Sequence, residues 1–394
     1  MTRATESGAV VGATGEPGAG AGTPPPTTQP ERLIAWQLIG QARACQVMGS
    51  PLYTHLLTTA AQDVLAGGPT AELLVPWVRP GRGDAAALRL MAAVHRLVLT
   101  RAAPRLALHY PTVGGTVDLA TVAAPFLATI AEQRQQLATD LQRPCQTNEP
   151  GRAAGLLLGL LEASAVTGLP LSLREVGAAA GLNLRMDAYR YELPEGHVIG
   201  EPDGELVLQG RWRGPVPHAA TRLRVVDRRG GDRTPIDPTT SEGRLSLSAS
   251  VWGDQLDRFQ RLGAAIRIAS RIPAQIDRAE ADVWVREHAR PVRGRCTLLY
   301  HSIVEEYLST DELDRFHTAV ETVATQATDD APFAWVRMEP SSELRHHTVS
   351  IRLWPQGPEL RHLARTGAHG DAVIPLGNGP RDAGPAAGNG GSAR

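Results

Sequence analysis

The segment 173–187, LREVGAAAGLNLRMD, holds the residues best suited to touch a ligand. Leu173 and Val176 read as the end of a strand, Gly177 and Gly181 bracket three alanines, and Asn183 opens an amphipathic run. Such a strand–turn–helix unit leaves backbone N–H groups facing outward, and side chains as small as Ala179 let a ligand come close to them. The spacing is Gly-x-x-x-Gly rather than G-x-G-x-x-G, so the usual dinucleotide fingerprint is absent. Glu175 stands two residues before the first glycine. A tight corner with no ligand is the plainer alternative. If the loop does hold a ligand, Gly177→Asp is expected to block it sterically with the fold intact.

A second cluster lies in TLLYHSIVEEYL, 297–308. His301 falls at the end of an apolar run, where an open α/β sheet displays reactive side chains, and its charge is tunable near neutral pH. It is the candidate general base, with Glu305 or Glu306 to orient it or contact substrate and Tyr307 as a further substrate contact. A histidine capping the next helix is the competing reading. Ser302 lacks a G-x-S-x-G elbow and is not promoted to nucleophile. In QTNEPGR, Asn148 and Glu149 are candidate substrate contacts, although with Pro150 they also make a good helix start. No metal is expected. His346 and His347 are adjacent and would point to opposite faces of a strand, and neither they nor His362 and His369 come with an H-E-x-x-H pattern. His55, His95 and His109 stand singly and read as packed or surface residues.

These groups need a scaffold. From Glu31 to about Pro144 the pattern is helical: Leu33, Trp36 and Ile39 recur at helical spacing, and Ser50-Pro51 opens a second helix. A helix from 148 to Gly168 leads into strand-like runs LSLREV, TRLRVVD, RLSLSASVW, RCTLLYHS, FAWVRMEP, HTVSIRLW and AVIPL, with helical stretches at 254–272, 279–292 and 309–327 between several of them. Alternating strands and helices predict an α/β fold with a mostly parallel sheet covered on both faces. The last runs, separated by a helix-like GPELRHLART, suit an antiparallel pair at one edge. The expected organisation is a disordered tail at 1–30, a helical domain at 31–144, an α/β domain at 145–376 with a hairpin-like insertion near 192–220, and a second disordered tail at 377–394.

Composition narrows the field. Across 394 residues the formal net charge is -1, which gives no general pull toward nucleic acid or an anionic membrane. The basic residues are all arginine, which excludes a Schiff-base, Walker or general-base lysine. Arginine runs are broken by acids and lack an aromatic stripe, so no nucleic-acid partner is expected. Cys45, Cys145 and Cys296 are sparse and form no CxxC pair, which fits a reducing cytoplasm. Neither a signal peptide nor a membrane span is expected.

The loop at 175–181 resembles the first motif of Rossmann-like S-adenosylmethionine-dependent methyltransferases, with Glu175, Gly177 and Gly181 at three matching positions and Ala179 in place of the middle glycine. That resemblance implies a doubly wound sheet, preceded by the all-helical domain. It also implies that Glu175, Gly177, Ala179, Gly181 and Asn183 line the cofactor. The acid that receives the ribose hydroxyls would be Asp227, with Asp232 and Asp237 as alternatives. Trp252 would cover the adenine, unless it is simply packed, and Arg152 would pair with the methionine carboxylate. The function implied is methyl transfer to a small-molecule acceptor. A non-catalytic scaffold on the same fold and a hydrolase using His301 stay open beside it. The runs CQTNEPGRAAGLL, LREVGAAAGLNLRMDAYRY, DRRGGDRTPID, SVWGDQLDRFQRL and YHSIVEEYL also resemble a bacterial family known as domain of unknown function 2332. That family implies no established activity.

Overall fold

The computed structural model describes residues 30–77, 85–341 and 346–376. Apart from Pro30, the two expected tails lie outside these residues.

The helical region begins with Pro30–Val47 and Pro51–Leu65. Ser50 caps the second helix by accepting from the Tyr53 amide, and Pro51 sits where its missing N–H costs nothing. Further helices follow at Ala86–Leu99, Ala123–Glu132 and Arg134–Asp140. Leu38, Leu52, Leu56, Leu90, Val94, Phe126 and Ile130 form their shared core. Among the described residues no helix is long and apolar enough to cross a membrane.

Among the described residues eleven strands follow: β1 (Leu171–Val176), β2 (Arg190–Glu192), β3 (Val198–Gly200), β4 (Val207–Gln209), β5 (Val225–Asp232), β6 (Gln275–Arg278), β7 (Cys296–Ser302), β8 (Phe333–Pro340), β9 (His347–Trp354), β10 (Gly357–Thr366) and β11 (Ile374–Pro375). Eight of them form one sheet in the order β11-β10-β9-β8-β7-β1-β5-β6. Strands β6, β5, β1, β7 and β8 are mutually parallel, and β9, β10 and β11 extend the β8 edge antiparallel. Every residue of β1 and β7 is buried, as befits central parallel strands covered on both faces. The helix Ala153–Thr167 lies against one face, where Gly159 lets it approach Val336. The helices Ala281–His288 and Thr310–Ala324 cover the other face through Trp284, Phe316 and Val320.

Two expectations are corrected and one strand is added. RLSLSASVW alternates like a strand, yet Ser241–Ala249 is a helix, because Thr240 accepts from the Gly243 amide and nucleates it. GPELRHLART is strand β10: only two residues separate it from β9, so a tight hairpin fixes it antiparallel. Strand β6 carries too short an apolar run to be read from the sequence. Near the expected insertion, β2 pairs antiparallel with β3 and parallel with β4 in a separate small sheet.

Candidate functional site

In the parallel part of the sheet the neighbours of β1 are β5 and β7, so the chain runs to opposite sides of β1 and a crevice is expected at its carboxyl end. Glu175, Gly177, Asp232, Ser302 and Glu339 meet at that edge. Gly177, Ala179 and Gly181 all adopt positive φ, at 68°, 49° and 64°. Alanine at 179 therefore holds a backbone conformation that glycine adopts more readily.

The loop's amides are engaged by the protein itself. Gly177 and Ala178 donate to the Gly231 carbonyl at 2.9 and 3.1 Å, and Ala179 donates to Asp232 Oδ2 at 2.8 Å. A side chain at Gly177 would strike Val304 and hold a positive φ, so Gly177→Asp strains the loop itself as well as filling it. Glu175 is buried, and burial pushes its carboxyl well above the usual range; the Tyr300 hydroxyl, 3.4 Å away, offsets this only in part.

Strand β5 does not end at Asp227. That residue lies near its start, bonded by Ser172 at 3.0 Å and Arg174 at 2.6 Å, and it lines an open hollow of about 340 Å³ at the opposite end of the strand from the glycine loop. Asp232, one of the alternatives, terminates β5. It accepts from Ala179, from the Thr234 amide at 2.7 Å and from Gln146 at 3.1 Å.

The QTNEPGR segment meets the same edge. Asn148 accepts from the Leu182 amide at 2.9 Å, and Asn183 donates to the Glu149 carbonyl at 3.3 Å. Glu149 caps the turn Pro150–Arg152 through the Gly151 amide and receives Arg258 Nε at 2.6 Å. Burial opposes its ionisation, but Arg258, helped by Arg261, holds its pKa at about 2. Arg152 reaches across to the end of β7, donating to the Ser302 carbonyl at 2.8 Å and to the Ala368 carbonyl at 3.1 Å.

His301 does not face the crevice. It is fully buried against Phe316, with Nδ1 2.6 Å from Glu339 and Nε2 accepting from the Trp335 indole at 3.1 Å. One neutral tautomer satisfies both bonds, so no lone pair is left for a substrate proton, and the general-base expectation is corrected. Glu339 also accepts from the Val304 amide, which fixes the segment that covers Gly177. Glu305 is held by His317 at 3.1 Å and Arg337 at 2.8 Å; burial opposes its ionisation, but these partners keep its pKa at about 2. Tyr307 is exposed beyond it. Trp252 joins the core of the helical region and stacks on Tyr53 at 5.9 Å, so packing accounts for it. Among the described residues no three His, Cys, Asp or Glu side chains are grouped to hold a metal ion.

The sequence reading missed Glu339, Arg258 and Arg261, which lie 38, 109 and about as many residues from their partners His301 and Glu149. Helical arginines and a strand glutamate carry no local signal of such contacts.

A family model described as an uncharacterized protein conserved in bacteria, DUF2332, matches residues 35–374. The chain belongs to the DUF2332 family. The match runs from within the first helix, Pro30–Val47, to the first residue of β11. No curated protein matches the chain.

Proposed function

We propose that the chain is an S-adenosylmethionine-dependent methyltransferase acting on a small-molecule acceptor, on a doubly wound Rossmann-like sheet. The observation that carries this reading is the convergence at the end of β1. The glycine loop, the terminal acid of the neighbouring β5 and Arg152 share one edge, at the point where the strand order reverses.

The donor set fits in part. Asp232 is an acid at the position a ribose would need, and Arg152 is a half-buried guanidinium whose fork suits a carboxylate. When bound, the cofactor supplies a methyl group activated by its sulfonium. The chain's own work is then positioning and water exclusion. Asp232 would exchange its bonds from Ala179 and Gln146 for hydroxyls, Arg152 would hold the carboxylate, and the buried Glu175, bonded by Tyr300, would stiffen the floor beneath the loop. With His301 engaged on both nitrogens, proton removal does not run through it, and the acceptor must bring its own available lone pair.

A second reading, a non-catalytic binding scaffold, is favoured by one observation: the amides of Gly177, Ala178 and Ala179 already have protein partners. Thermal unfolding with S-adenosylhomocysteine separates the two. A ligand at about 100 times its Kd stabilises the folded state by roughly 2.7 kcal/mol, a clear rise in Tm. An unchanged Tm up to millimolar ligand would favour the scaffold.

A further inference from the structure

Around Glu149 the chain gathers more positive charge than the carboxylate can absorb. Arg258 donates to Oε2 at 2.6 Å and bonds Gln255, while Arg261 Nε lies 3.8 Å from Oε1. The Arg211 fork lies against Gly151, where a Cβ would sit 3.2 Å from its Nη1 and 2.8 Å from Glu149 Oε1. Arg152 is the next residue. Arg211 and Arg152 spend part of their donors on the carbonyls of the 368–370 loop, Arg211 on His369 and Gly370 and Arg152 on Ala368. Glu149 is the carboxylate in direct contact with Arg258 and Arg261; Asp257 and Asp371 act on Arg211 through their field. His369 adds no charge near neutral pH, since burial and the neighbouring arginines push its pKa down to about 3. Among the described residues the buried Arg261 Nε has no hydrogen-bond partner. An unbonded guanidinium N–H out of contact with water is costly, and an anion is the group that would answer it.

We propose that Arg211, Arg258 and Arg261, with Arg152 at their inner side, form a binding site for a small oxyanion, a carboxylate or a phosphate. Guanidinium forks match both groups bidentately. Four arginines from three separated segments meet here, on the Pro150–Arg152 turn, the loop after β4 and the helix Leu256–Arg271. The site stands without the methyltransferase reading and is tested without that cofactor.

The experiment is calorimetric titration of the full chain with inorganic phosphate and, separately, with malonate, ionic strength being held constant with sodium chloride. Saturable binding of at least one probe is expected, weakened about tenfold or more in Arg261→Gln and in Arg211→Gln. Arg293→Gln, at an exposed and distant position, is expected to bind as the wild type. Binding of phosphate alone would assign the site to a phosphoryl group, and binding of malonate alone to a carboxylate. Circular dichroism confirms that each variant is folded, and Arg261→Lys, which keeps the charge but loses the fork, serves if Arg261→Gln is not. The proposal is overturned if neither anion binds saturably to the wild type, or if the folded variants bind as tightly as the wild type.

Discussion

Glu149 shows how one side chain can couple capping, burial and charge. It caps the turn before the helix Ala153–Thr167 while it neutralises Arg258. Removing one partner of a buried pair leaves the other charge stranded, so Glu149→Gln is expected to lower stability at pH 7 by about 3–5 kcal/mol. The pH dependence has a definite sign. The folded pKa of about 2 lies below the unfolded value, so the contribution is complete above the unfolded pKa and is lost as pH falls through about 2. Urea unfolding of wild type and variant should therefore converge toward pH 2, and a gap that stays constant with pH would refute the ion-pair account. At the same scale, Asn148, Glu149, Arg152 and Asn183 were readable because they share short segments with the glycine loop or the helix start. Asp232 was readable only as one acid among three, since hydropathy does not say whether β5 ends at 227 or continues through the arginines and glycines to 232.

Elements are where local pattern and tertiary context part. Strands β1, β7, β8 and β9 are mostly buried, apolar-rich runs and could be read directly, whereas β10 is exposed along most of its length and owes its existence to pairing with β9. Two helical glycines give a matched test. Gly40, in Pro30–Val47, has open space where a Cβ would go, so Gly40→Ala should stabilise by roughly 0.5–1 kcal/mol. Gly159 has Val336 methyls 2.6 Å from that position, so Gly159→Ala should destabilise by about 1–3 kcal/mol despite the same gain in propensity. Chemical denaturation reads both signs, and a gain at Gly159 would mean that this helix–sheet contact is looser than described. The helical region is tied to the segment between the helices Ser241–Ala249 and Leu256–Arg271 by His95, which is buried and bonded at 2.8 Å to both the Val251 carbonyl and the Thr112 hydroxyl. Burial lowers its pKa to about 4, so the unfolded chain takes up a proton first and stability falls as pH drops from about 6.5 toward 4. His95→Gln should flatten part of that slope in unfolding measurements between pH 7 and 4; an unchanged slope would assign it to His347 and His369, whose pKa values burial lowers to about 4 and about 3.

At the scale of the molecule, one central strand organises everything else. Strand β1 sits between β5 and β7, helices cover both faces, and the segments that spacing singled out around residues 148–152 and 175–183 converge at its carboxyl end. His301 was readable as lying at the end of its strand but not as facing away from the crevice: strand ends are visible in hydropathy, but which face a side chain takes depends on the partners across it, here Trp335, Phe316 and Glu339. The central claim is that the crevice beside β1 takes S-adenosylmethionine with Asp232 as its acid. Calorimetric titration of the folded full chain with S-adenosylhomocysteine tests it most directly. The account predicts saturable binding that Asp232→Asn weakens about tenfold or more and that Asp227→Asn leaves unchanged; no binding to folded protein, or greater sensitivity at 227 than at 232, would contradict it.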